Sequence, residues 1–135
     1  MQNYERPETF SIFKRIINET ARKKGAGRMK EFRTSIPPYE SASILLKEID
    51  KDDVKHQEYH DIGEGKQMCV LVFERYYFRT SGNASLTVIM ENMNGITNVR
   101  CISSGSAEQM VFKFDLGAGK NFAAWAERVL SEYLI

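Results

Sequence analysis

Between Gln67 and Asp115 the chain consists of extended segments whose links are too short to hold a helix, and this restricts the fold more than any other feature. Gln67 to Thr80 begins with Met68-Cys69-Val70-Leu71-Val72-Phe73, apolar on both faces, and continues as Glu74-Arg75-Tyr76-Tyr77-Phe78-Arg79, the pattern of a long central strand. Ser81-Gly82-Asn83 turns it back. Leu86, Val88 and Met90 then alternate with Ser85, Thr87, Ile89 and Glu91, and Asn92 to Gly95 supply hairpin chemistry. Val99, Cys101 and Ser103 mark one face of a further strand. Met110, Phe112 and Phe114 alternate with Val111, Lys113 and Asp115 in another. Strands joined this closely pair antiparallel, because a parallel pair needs a crossover of roughly a dozen residues or more.

Such a meander has an apolar face that helices must cover. Tyr39, Ala42, Leu45, Leu46 and Ile49 form the buried stripe of a helix running to about Asp50, after a strand over Lys30 to Ile36 that Pro37-Pro38 ends. Phe122, Trp125, Ala126, Val129 and Tyr133 predict a long C-terminal helix. Val54 to Asp61 is polar enough for an edge strand. In front of all this, Phe10, Phe13, Ile16, Ile17 and Ala21 predict an amphipathic helix over Pro7 to Lys24, stopped by Lys23, Lys24 and Gly25. The expected architecture is α+β: a five- to six-stranded antiparallel sheet, the two inner helices, and an N-terminal helix. With 135 residues, 42% apolar and 27% charged, the chain has the material for one core, divided here into a 1–28 extension with its linker and a 29–135 domain.

Lys and Arg number 19 against 18 Asp and Glu, which removes the electrostatic case for nucleic acid. No window reaches the roughly 18 uninterrupted apolar residues of a membrane span, and Met1 to Arg6 lack a signal-peptide core, so a cytoplasmic location is expected. Cys69 and Cys101 lie far apart in strand segments and read as reduced, buried thiols rather than zinc ligands or a disulfide.

Four groups of residues invite chemistry. His56 and His60 share the spacing of a helical metal pair, but Gln57 stands where H-E-x-x-H needs its base, and along a strand the two rings lie about 13 Å apart. No metal site and no cofactor follow. Gly117, Gly119 and Lys120 precede a helix and could receive an anion, although Asn121 replaces the hydroxyl residue of a P-loop. Ser103, Ser104 and Ser106 surround Gly105 without forming a nucleophile elbow, so hydrolase chemistry is not expected. Arg75, Tyr77 and Arg79 continue the parity of Cys69, Leu71 and Phe73. If that face meets the last helix, they and Trp125 would line a pocket for an acidic headgroup; otherwise one parity faces solvent and the charges pair across strands with Glu91 or Arg100.

The element order from Met29 to Ile135 resembles that of helix-grip domains, the START-like and pollen-allergen-like proteins, and this resemblance implies a hydrophobic-ligand pocket between sheet and last helix. The stretches Phe73-Glu74-Arg75-Tyr76-Tyr77-Phe78-Arg79, Ser103-Ser104-Gly105 and Phe114-Asp115-Leu116-Gly117-Ala118-Gly119 are similar to a family of small bacterial proteins, a domain of unknown function, which implies no activity, cofactor or catalytic residue. That likeness begins near Met29. Residues 1–28 carry seven Lys/Arg and three Asp/Glu, a net of +4, while the remainder carries −3. They read either as a segment upstream of a start at Met29, or as a helix docking on the domain or on a second copy. Two functions stay open: non-catalytic binding of a small apolar or amphipathic molecule under the C-terminal helix, and a protein-interaction or homodimerisation module with a filled core. A cavity beneath Trp125 would favour the first.

Overall fold

A computed structural model of the chain describes residues 28–78, 82–105 and 122–135, with only the backbone of Arg28 and Tyr77. The helix expected over 7–24, the strand around 110–115 and the loop carrying Gly117, Gly119 and Lys120 lie outside the described residues.

The described chain is α+β: a five-stranded, fully antiparallel open sheet with two helices. In chain order the elements are β1 (Arg28–Thr34), α1 (Pro38–Lys47), a 3-10 turn (Lys51–Asp53), β2 (Val54–Gly63), β3 (Lys66–Tyr77), β4 (Gly82–Glu91), β5 (Thr97–Ser104), α2 (Phe122–Val129) and a second 3-10 turn (Ser131–Tyr133). The spatial order is β1-β5-β4-β3-β2, so β1 and β2 are opposite edges. Four gaps of about 4.8 Å separate them, roughly 19 Å, and α1 with its following turn carries the chain across that width. This crossing places α1 against one sheet face.

Register assigns each residue to a face. Phe32 stands opposite Val99, Val88 opposite Cys101, Leu71 opposite Val88, and Phe73 opposite Leu86. These side chains, with Cys69 and Met90, meet Ala42, Leu45, Ile49, Phe122, Trp125, Ala126 and Leu130 in a single core. Thr34 and Ser41, both buried, share a hydroxyl hydrogen bond of 3.1 Å, and Thr97 Oγ1 donates to the Ile36 carbonyl at 2.6 Å; together they fix where α1 leaves the sheet.

α2 ends earlier than the apolar spacing predicts. It stops at Val129 instead of continuing to Tyr133, because the last residues pair with the outer edge of β1. Ser35 N donates to the Tyr133 carbonyl at 2.8 Å and Ile135 N to the Arg33 carbonyl at 3.1 Å, so part of the edge that β1 would otherwise leave unpaired is satisfied. β2 is the polar edge strand its composition predicts, and almost its whole length is exposed. At the far end of β5, Gly105 has φ +123°, and a Cβ there would collide with the Asn83 carbonyl.

Candidate functional site

Trp125 lies in the most densely aromatic part of the core. Its ring centroid is 6.0 Å from Phe73 and 5.8 Å from Phe122, with Phe73 and Phe122 6.5 Å apart. Trp125 is buried, and Phe73, Phe122, Leu86 and Val88 beneath and beside it are fully buried. The described residues therefore fill the space under α2 with side chains rather than lining a cavity. Arg75 does share the covered parity, yet it sits beyond the aromatic cluster, where its Nε donates to Asp53 Oδ2 at 2.9 Å. Tyr77 ends β3; Arg79 lies outside the described residues, as do Gly117, Gly119 and Lys120.

The cross-strand partners expected for this cluster are different ones. Glu74 accepts from Asn83 Nδ2, its neighbour across the hairpin, and Arg75 reaches the turn before β2. Glu91 instead caps its own hairpin by accepting from Met93 N at 2.8 Å. Pairing range decides this: the β3–β4 register puts Glu74 beside Ser85 and leaves Glu91 opposite Met68, far along the strand.

His56, Glu58 and His60 project from the same side of β2, and both histidine Nε2 atoms contact the intervening carboxylate, at 2.9 and 3.1 Å. These hydrogen bonds hold the Glu58 carboxyl below its usual range. The site is exposed, and among the described residues no group of three or more His, Cys, Asp or Glu side chains is placed to hold a metal ion. Cys69 and Cys101 are free, buried thiols, and burial pushes both up to about 12. A thiol held protonated in this way is a poor nucleophile at neutral pH.

The second face of the sheet has the less ordinary construction. Its residues alternate with the core set: Met29, Ile102, Thr87, Val72 and His56 form one cross-strand row, and Glu31, Arg100, Ile89, Val70 and Glu58 the next. The centre of the face is therefore apolar, with acidic residues towards both edges. No described helix packs on it. Nevertheless Arg100, in the middle of β5, is only 3% exposed. Its Nη2 is 3.4 Å from Glu31 Oε2, an oxygen that also accepts from Asn98 Nδ2 at 2.9 Å. Its Nε is buried and has no hydrogen-bond partner. Beside it, at the β1 end of the face, an open cleft of about 700 Å³ is lined by residues that include Arg33, Glu91, Asn98 and Leu134.

An arginine lying on a bare sheet keeps its guanidinium in water, since a buried, unmet N–H costs about 1–3 kcal/mol. Sequence reasoning names Arg100 only as a cross-strand partner for the β3 charges and does not foresee its burial. Its sequence signal was modest: a cation between Val99 and Cys101, on the parity of Ile102, where strand alternation alone suggests solvent.

Geometrically, this face offers apolar side chains at Ile102, Ile89 and Val70 and an unmet donor at Arg100 Nε. Among the described residues, no helix is long and apolar enough to cross a membrane. No curated protein and no solved structure matches the chain, and the helix-grip resemblance is not shown. A sequence family does match, over residues 30–134, and the chain belongs to it: the family of unknown function DUF6054.

Proposed function

Starting from a family that carries no assigned activity, we propose that this member is a non-catalytic protein-interaction module whose working surface is the second face of its sheet. The observation that carries this reading is Arg100: a cation 3% exposed, with an unpartnered Nε, on a face where no described element packs. Val70, Val72 and Ile89 around it are half-buried, and Ile102 is exposed, so an incoming segment would bury apolar area and supply the missing acceptor together. The rims favour a basic partner, since Glu31, Glu58, Glu74 and Glu91 outnumber Arg33, Lys66 and Arg100 on that face. Helix-in-groove recognition uses this combination of apolar anchors and flanking charge.

The rival reading places a small amphipathic ligand between the sheet and α2, at Arg75, Tyr77, Arg79 and Trp125. Against it speaks the mutual packing of the Phe73, Phe122 and Trp125 rings under α2. A titration separates the two. A basic amphipathic 18-residue peptide is added to methyl-labelled protein, and the shifts of Val70, Val72, Ile89 and Ile102 are compared with those of Leu71, Leu86 and Val88. Shifts confined to the first set support the interaction module. Shifts confined to the second set, with a change in Trp125 fluorescence, would transfer the site to the α2 side.

A further inference from the structure

We infer that the free edge of β2 is a zinc-dependent contact with a second copy of the chain, in which His56 and Glu58 of one copy and the partner's His60 hold one ion and the symmetric set holds another. The contact uses the edge of the sheet and not the apolar centre of the second face, so it stands apart from the interaction reading above.

Backbone geometry makes the edge available. β2 is an outer strand, and its residues from Lys55 to Gly63 are exposed. Gln67 directs its backbone away from β2, donating to Asn92 Oδ1 at 2.7 Å and accepting from Asn92 N at 3.3 Å. Asp61 stands opposite Gln67, so alternation turns the N–H and carbonyl groups of Gln57, Tyr59 and Asp61 outward, where no described strand meets them. A second β2 added antiparallel about a two-fold axis at Glu58 sets Lys55 beside the partner's Asp61 at both ends, and His56 beside the partner's His60. Sliding the copies by two residues either way loses both matches.

That register also completes a ligand set. Along one strand His56 and His60 are about 13 Å apart and do not share an ion. Across the two-fold they fall in non-hydrogen-bonded pairs, whose Cα atoms are about 4.5 Å apart, within reach of a common ion. Glu58 already stands between them, its Oε2 at 2.9 Å from His56 Nε2 and its Oε1 at 3.1 Å from His60 Nε2. Two ligands of a tetrahedral zinc, each about 2.0–2.1 Å from it, lie about 3.3 Å apart, so an ion can replace either hydrogen bond with little movement. Each chain thus offers two ligands per ion and lacks the third, consistent with there being no metal-holding group within one chain among the described residues. The ion is required as well as accommodated. Glu58 faces the partner's Glu58, and like charges directly opposite disfavour the pairing until cations neutralise them.

The test uses the full chain, stripped of metal and titrated with zinc chloride, with mass followed by sedimentation and bound zinc by atomic emission. The expected result is a 15.5 kDa monomer in EDTA and a doubled mass with one ion per chain in zinc. His56→Ala and His60→Ala should each abolish the doubling, with Trp125 fluorescence reporting that the fold survives. Mixing the two variants should restore a dimer carrying one ion, because only the mixed pair keeps His60 in one copy and His56 in the other. Zinc held by the monomer, no zinc held, a dimer formed equally in EDTA, a zinc dimer that either variant retains, or a mixture that stays monomeric would each overturn the inference. None of these outcomes bears on the second face, which the peptide titration tests separately.

Discussion

The two faces of the sheet are made from alternate residues of the same five strands, yet they solve the burial problem differently. On the covered face the apolar set meets α1 and α2 and ends in the Phe73, Phe122 and Trp125 cluster, with Cys69, Leu71, Leu86 and Val88 fully buried around it. On the second face a comparable apolar centre meets no described element, and the most deeply buried side chain is a cation, Arg100. The first face has the composition of a folding core. The second is assembled as an interface is, apolar at its middle and charged at its rim, with one buried arginine of the type that anchors binding surfaces.

This contrast can be broken most directly at neighbouring residues of β3. Phe73→Ala should destabilise the protein by about 3–5 kcal/mol, because a buried ring is lost into a packed cluster, whereas Val72→Ala on the opposite face should cost no more than about 1–1.5 kcal/mol. Urea midpoints decide it, and similar losses at the two positions would remove the distinction between the faces. Gly105→Ala should cost about 2 kcal/mol or more, since φ +123° is strained for any side chain and the added Cβ meets the Asn83 carbonyl. Its effect belongs to the edge between the faces and should appear in both.

Arg100→Met sharpens the comparison further. If the guanidinium is held out of water with an unmet Nε, the substitution should leave stability unchanged or raise it by about 1 kcal/mol, because the thioether needs no acceptor and Glu31 can return to solvent. A loss of more than that in thermal melts would show that the cation is well satisfied after all.

On the covered face, Cys69 and Cys101 bind their protons more tightly when folded, with values raised from 9.0 to about 12. The stability they contribute is fully present below pH 9 and is lost as pH rises from there towards 12. Urea midpoints between pH 8 and pH 10.5 should therefore fall, and less steeply in Cys69→Ala/Cys101→Ala. The smallest effect is expected at the exposed β2 edge. Glu58 has its carboxyl held low by His56 and His60, so its contribution is present above the usual carboxylate range and fades as pH drops through the lowered value. Glu58→Gln should shift the melting temperature at neutral pH by no more than about 2 °C.

Much of this architecture was legible in the residues. Alternation in 85–91 and 97–104 marks two strands, the polar run from Val54 marks an edge, and Pro37-Pro38 marks the break before α1. The site was far less legible, because Arg75 and Trp125 carry the chemistry a pocket would need while the structure gives one an aspartate partner and the other two aromatic rings.

By itself, then, the sequence determined the strands, their antiparallel pairing and the division of every strand into two sets of side chains, because a period of two and short links depend only on local geometry. Tertiary structure decided which set is covered. In Met68 to Phe73 both sets are apolar, so no local pattern can choose between them; the choice came from α1 crossing from one edge of the sheet to the other on the side of Leu71 and Phe73. The same crossing left Arg100 on the other side, and turned an ordinary strand position into the most deeply buried one of the second face.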